Sequence, residues 1–294
     1  MGKKNKITLW NSEANEEAIN FTQPDIMLKL VSTIDGRGWP HITMISSNRI
    51  ISNKKLVWGA FTEGLSKKYV KENPKQGIFY MTAEMPFKFV QVKADFSHTS
   101  KEGPDLEHFN QSQLMRYFTY VRTHTAYYND IVSATQLRDL PLFGIIKGIL
   151  KNLIGKGGAK TNLPEKRLNV IGYKLFRDMI AVRVISYIDP KDGYPVMIPV
   201  IQLQAADHNR LVFPPSILKD DLMKIPVNEK VAIFGMNFEF VNQVVKGTFL
   251  GYKKYRGIKL GVIDIEEIYN GCPPVTGMIY PELETRSKVE DFTL

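Results

Sequence analysis

The sequence predicts a mostly β chain built from two tandem small barrels that face each other as an internal pseudo-dimer. Three observations carry this reading: the chain repeats itself, each copy consists of short strand-like runs, and Gly, Pro, Asn and Asp turns separate those runs. The first copy contains Ile34-Asp35-Gly36-Arg37-Gly38-Trp39-Pro40 and the second Ile188-Asp189-Pro190-Lys191-Asp192-Gly193-Tyr194-Pro195. Both place Ile-Asp, a Gly-containing turn, an aromatic and a Pro in that order. The match continues at a nearly constant offset. Leu56-Val57-Trp58 corresponds to Leu211-Val212-Phe213, Asn73-Pro74-Lys75 to Asn228-Glu229-Lys230, Ile78-Phe79 to Ile233-Phe234, and Val92 to Phe96 to Val245 to Phe249. Two such copies are expected to pack as the halves of a two-fold dimer do.

Taken in order, Met27 to Thr33 and Ile42 to Ile45 are strands flanking the first turn, and Ile180 to Tyr187 and Val196 to Leu203 flank the second. Each copy then reads strand, tight turn, strand, turn, strand, short helix, strand, hairpin, strand. The helices are expected at Leu65 to Glu72 and Ile217 to Lys224. The expected boundaries are 1–98 for the first barrel, 99–167 for a helical insertion and 168–294 for a degenerate second barrel with a tail. In the insertion, the aromatic stretch Gln113 to Tyr128 reads as a helix. Pro141 opens a second helix, with Leu142, Ile145, Ile146, Ile149, Leu150 and Leu153 at helical spacing, Lys147 and Lys151 on its other face, and Gly155 with Gly157-Gly158 ending it. Two readings of that helix stand: a cap over the barrels, or a basic amphipathic helix contacting a membrane surface through 141–156.

The 294 residues are 44% hydrophobic and 23% charged, which excludes global disorder. Lys and Arg number 39 against 30 Asp and Glu, a net charge of +9 spread along the whole chain. It reads as a solvated basic surface, because a nucleic-acid module would concentrate its cations in a stripe with interleaved aromatics. The single Cys272 excludes a disulfide framework and a CxxC redox pair. No apolar run approaches a membrane span, and Met1 to Lys6 has no apolar region behind its charges, so a cytoplasmic protein is expected. His41, His98, His108, His124 and His208 lack the close pairing of a zinc site, and no metal is expected. Gly155 to Thr161 departs from the phosphate-loop pattern at Ile154 and Ala159 and reads as a basic linker.

The strongest site candidate is Phe61-Thr62-Glu63-Gly64-Leu65-Ser66-Lys67-Lys68, which follows a strand and opens a short helix. Ser66 is expected to cap that helix, leaving N–H groups for an anion, and Lys67 and Lys68 add positive charge. The alternative is an ordinary capped surface helix. The second copy has Ser216-Ile217-Leu218-Lys219-Asp220-Asp221 there, whose acids would repel a phosphate, so a phosphorylated ligand is expected only at the first copy.

These residues resemble the FMN-binding split-barrel family of pyridoxamine 5′-phosphate oxidase-like proteins. The pattern is Asp-Gly-x-x-x-Pro-x-x-Thr from Asp35 to Thr43, then Val57-Trp58, Phe61-Thr62-x-x-x-Ser66-Lys67-Lys68, Asn73-Pro74 and Gln91-Val92-Lys93. It covers about 24–98, and 168–254 through the repeat. The resemblance implies a split barrel with FMN between two barrels, its phosphate on Ser66, Lys67 and Lys68. Phe61 and Thr62 would lie near the cofactor, Gln91 would contact the flavin, and Thr43, Met44, Ile45 and Ser46 would run beside its ring. Tyr194, Val196 and Ile198 are loose candidates for the opposite wall. The oxidases themselves carry an Arg where Thr43 stands and an Arg-rich C-terminal signature not found after Gly251. The implied function is an FMN-binding oxidoreductase or electron carrier with one flavin site per chain and an unidentified small-molecule redox partner. No catalytic residue is assigned, an oligomer is left open, and alternatives are a non-catalytic flavin or deazaflavin sensor or storage protein and, since some relatives bind it, haem.

Overall fold

The computed structural model describes residues 8–60, 64–112, 116, 122–271 and 277–281. The first sheet contains β1 (Trp10–Asn11), β2 (Leu28–Ile34), β3 (Pro40–Met44), β4 (Asn48–Ser52), β5 (Lys55–Ala60), β6 (Lys75–Met81), β7 (Lys88–Ser100), β8 (Thr125–Thr135) and β9 (Arg138–Asp139). The second contains β10 (Val182–Ile188), β11 (Pro195–Pro199), β12 (Gln204–Ala205), β13 (Arg210–Phe213), β14 (Glu229–Met236), β15 (Asn242–Tyr255), β16 (Ile258–Asn270) and β17 (Gly277–Tyr280). The first runs β3-β2-β6-β7-β8-β5-β4, with β1 on β8 and β9 on β7. The second runs β11-β10-β14-β15-β16-β13-β12, with β17 on β16. The two paths are the same path, and in each the strands at its ends are consecutive in the chain. The molecule is a tandem pair of split β-barrels.

The helices are α1 (Glu16–Phe21), α2 (Leu65–Glu72), α3 (Pro104–Gln111), α4 (Leu142–Gly155), α5 (Val170–Arg177) and α6 (Lys219–Leu222). α6 is shorter than the expected Ile217 to Lys224, because Leu218 before it takes a left-handed backbone conformation, φ 49°. None of the described helices is long and apolar enough to cross a membrane.

Strand β8 lies inside the segment expected to be an insertion, and it pairs with both β5 and β7. Thr125 to Tyr128, read from sequence as the end of a helix, begin this strand; 113–115 and 117–121 lie outside the described residues. The aromatic residues here follow period two. Tyr127 stacks on Trp58 inside the barrel, ring centroids 4.0 Å apart, while Tyr128 stacks on His98 on the other face.

Both faces of β2 are buried, and its alternating residues serve two cores. Val31, with Trp58, Ile78, Val92 and Tyr127, fills the first barrel. Leu30, with Ile42, Phe79 and Phe89, belongs to a larger cluster continuous with Val184, Ile198, Phe234 and Val245 of the second barrel. The barrels therefore share a core rather than touching through polar surfaces.

Polar contacts across that core come in pairs related by the repeat. The Ser32 and Ser186 hydroxyls, equivalent positions before the two Ile-Asp turns, meet at 2.8 Å. Asp35 accepts from Lys246 Nζ at 2.8 Å, and Asp189 from Lys93 Nζ at 3.0 Å. Lys230 lies 4.3 Å from the Trp39 ring centroid, and Lys75 lies 4.8 Å from that of Tyr194. Each turn thus docks on the other barrel in the same way, as an isologous contact requires. Backbones approach closely too: a Cβ on Gly77 would lie 2.3 Å from the Pro195 carbonyl oxygen.

Burial raises the Asp35 carboxyl, but hydrogen bonds from Lys246 and Arg37 and the Lys246 charge outweigh it and bring it from 3.8 to about 2. A depressed folded value means that its stabilisation is complete above the unfolded value and is lost as pH falls from about 4 through 2. Asp35→Asn should flatten the stability curve in that window. It should also cost about 3 kcal/mol at neutral pH, because Lys246 is left buried without its partner. Denaturant titrations from acid to neutral pH test this; parallel curves for the two proteins would refute it.

Candidate functional site

The pseudo-two-fold arrangement creates two equivalent crevices. In one, β3 packs against β14 and β15; in the other, β11 packs against β6 and β7. The first crevice is built where β3 leaves its strand. Ile45 N–H still donates to Lys29 C=O, and the chain then turns into β4 through Ser46 and Ser47. Helix α2 starts beside it after Gly64, which is extended and has no side chain to cap the first turn.

Ser66 does not cap this helix. The helix begins one residue before it, so Ser66 sits inside the first turn, buried, with its hydroxyl 2.5 Å from that of Thr43. Thr43 and Ser66, predicted from separate motifs, are thereby brought together. Lys67 is half-buried and Lys68 exposed, 3.8 Å from Glu72. Both open onto a groove of about 630 Å³ whose lining includes Lys71, Thr99, Lys101 and His124. Helix α2 thus carries hydroxyl contacts on one side and three lysines on another.

The remaining predicted residues separate. Met44 packs against the shared core and Ile45 into the first barrel, as alternation along a strand dictates. Ser46 lines a small pocket with Lys29, Arg49 and His108. Phe61 and Thr62 lie outside the described residues. Gln91 is not part of this cluster. It faces the other crevice, where Nε2 donates to Met197 C=O on β11, beside Trp10, Val196 and Asp221. The offset of the repeat gives Val244 as its counterpart, and Val244 shares the core with Ile42 of β3. The opposite wall of the first crevice is accordingly β14 and β15, not Tyr194, Val196 and Ile198. Tyr194 donates to Asp95 at 2.9 Å, and Val196 lines the second crevice.

Sequence reasoning missed an aromatic cluster at the first crevice. The fully buried His41 imidazole lies edge-on between Tyr69 of α2 and Tyr269 of β16, centroids 5.5 and 5.1 Å away. Lys246 Nζ is 5.9 Å from the Tyr69 ring. The available signal was Tyr69, three residues beyond Ser66 and therefore one helical turn along α2.

The second crevice carries different chemistry. The offset that aligns Asn73 with Asn228 places Asp221 where the first copy has Ser66. Its carboxylate accepts from Thr8 Oγ1 at 2.5 Å, Arg138 Nη1 at 2.9 Å and Lys224 Nζ at 3.2 Å. Burial raises this carboxyl, and the Thr8 hydrogen bond with the Arg138 charge outweighs it and holds it below its ordinary value. The position is filled by a compensated anion. Among the described residues, no group of three His, Cys, Asp or Glu could hold a metal ion.

No protein-family model and no curated protein matches the chain. Solved structures similar to it include an FMN-binding protein from Syntrophomonas wolfei subsp. wolfei, 16% identical, TM-score 0.36, covering 43% of this chain and 86% of that one. A putative pyridoxamine 5′-phosphate oxidase from Lactobacillus delbrueckii is also 16% identical, with TM-score 0.33 and coverages of 43% and 97%. An F420 reductase is 11% identical, with TM-score 0.32 and coverages of 42% and 98%.

Burial, reinforced by the Lys246 charge and opposed by Asp35, pushes the His41 imidazole from 6.5 down to about 3. An unfolded chain takes up this proton below about pH 6.5 and the folded chain does not, so His41 lowers stability progressively as pH falls from there toward 3. His41→Phe, which keeps a ring between the two tyrosines, should remove that part of the acid slope. In the parent protein the His41 ring resonances should stay fixed between about pH 8 and 5. An NMR titration near the ordinary histidine value would contradict the assignment.

Proposed function

We propose that the chain is a flavoprotein that binds one FMN in the first crevice and acts as an oxidoreductase or electron carrier toward a small-molecule partner. The observation that carries this reading is the asymmetry between two crevices made by one repeat. The first has paired hydroxyls at Thr43 and Ser66 and a helix start without a side-chain cap, and Lys67 and Lys68 of the same helix line the groove on its neighbouring side. The second has Asp221 locked by Thr8, Arg138 and Lys224. That donor set suits a phosphate dianion at the first position and rejects one at the second.

When bound, FMN supplies hydride and single-electron transfer. The residues of this chain position and insulate it. Lys67 and Lys68 would neutralise the phosphate, and the Thr43–Ser66 pair, in which one hydroxyl donates to the other, would offer it the one remaining O–H. His41, held neutral, adds no positive charge to the crevice and closes it against water together with Tyr69 and Tyr269.

The test is the absorption spectrum of the protein after incubation with FMN, with released flavin counted per chain. One flavin per chain is expected, and Lys67→Glu with Lys68→Glu should abolish its retention while the fold, read by circular dichroism, persists. Two flavins per chain, or full retention in the double variant, would overturn the reading.

A further inference from the structure

Helix α4 packs in the reverse of the usual amphipathic sense. Its buried residues are Ile145, Gly148, Asn152 and Gly155. This narrow stripe lies on the second barrel, against β13 and β16. The glycines permit the contact: a Cβ on Gly148 would fall 2.4 Å from Ser216 Oγ, and one on Gly155 2.9 Å from a Leu260 methyl. Asn152 Nδ2 fixes the helix by donating to the Gln202 and Val212 carbonyls, at 2.7 and 3.0 Å. The large apolar residues consequently point outward. Phe143 is 89% exposed, and Leu142, Ile146, Leu150, Leu153 and Ile154 are 41–56% exposed. At 100° per residue these six occupy one continuous arc, bordered by Lys147 and Lys151.

We propose that this face docks α4 flat on an anionic lipid bilayer, with the six apolar side chains entering the boundary between head groups and acyl chains and the lysines meeting lipid phosphates. A contiguous apolar arc of this kind on a soluble domain is a contact surface rather than incidental exposure. Charge selects the occupant. Between Leu140 and Pro164 the chain carries four lysines and no acidic residue, within a protein of net charge +9. An apolar face edged by cations matches a negatively charged membrane surface. It matches a second copy of itself less well, because a self-contact would bring two sets of lysines to one interface with no acidic residue from 140–164 to compensate them.

The experiment is co-sedimentation of the full chain with vesicles of phosphatidylcholine containing about one-third phosphatidylglycerol, beside vesicles of phosphatidylcholine alone. The protein should pellet with the anionic vesicles, less so as salt is raised, and should stay in solution with the neutral ones. Phe143→Glu should lower the partition coefficient on the order of tenfold, the effect of withdrawing one aromatic side chain from an apolar phase. Lys147→Glu with Lys151→Glu should remove the preference for phosphatidylglycerol. Phe143 touches solvent almost entirely, so its variant should keep the parent near-ultraviolet circular dichroism; should it fail to fold, Leu150→Gln carries the same test. Absence of pelleting, equal pelleting with both vesicles, or unchanged partition of the folded variant would overturn the proposal. So would a lipid-free dimer, seen by sedimentation velocity, that Phe143→Glu dissociates, since the face would then belong to a second copy.

Discussion

The reciprocal docking of two acidic turns on two buried lysines is the constraint from which the rest of the structure follows. Lys93 and Lys246 are both almost fully buried, and an ammonium taken out of water is tolerated only beside a compensating charge. Each compensating charge lies in the other barrel, at Asp189 and Asp35. Sliding or rotating one barrel over the other would strand two buried cations and two carboxylates together. The apolar core between the barrels supplies non-directional attraction; the paired ions and the hydrogen-bonded serines between them fix the register. Nothing in burial alone would do so, because Val, Ile and Phe faces tolerate displacement better than a 2.8 Å ion pair does.

With that register fixed, one operation generates both crevices, and only side-chain divergence distinguishes them. Where the first copy has Ser66, Tyr69 and His41, the second has Asp221, Lys224 and Val196. The first set leaves hydroxyls and rings around the end of β3. The second set forms an internal ion network that reaches into the first half of the chain through Thr8 and Arg138. A repeated frame can in this way keep its two-fold packing while its two equivalent positions carry different chemistry. The Asp221 network also helps to hold the halves together, since Asp221 and Arg138 lie in different barrels.

The repeat made the architecture legible in the sequence, because the turns that anchor the alignment are the turns that dock. That Thr43 and Ser66 stand close together was legible for a related reason: each stands at the end of a recognisable element. Three features were not legible, and each fails for a physical reason. Thr125 to Tyr128 form a strand whose aromatic richness hides its period of two until a sheet partner selects a face. Gln91 belongs to the opposite crevice, because a motif on one chain does not tell which side of a pseudo-two-fold interface its side chain serves. Ser66 suits a cap by residue type, but Gly64 takes that place, and the Ser66 hydroxyl turns to Thr43 instead.

Helix α4 shows the same limit from another side. Its periodicity announced an apolar stripe, and periodicity gives a stripe without an address. The address comes from backbone clearance. Only the glycine-bearing face can approach the second barrel as closely as Ser216 and Leu260 require, and a face of Leu and Ile could not enter that space without displacing the helix. Asn152 then makes the choice specific, since its two carbonyl partners would be left without that donor if the helix turned its apolar side inward. The exposed face is therefore a consequence of which residues can fit underneath. The two halves of the repeat have diverged in their chemistry: the first pairs hydroxyls and aromatic rings where the barrels meet, and the second places internal ion pairs there and carries an outward-facing helix.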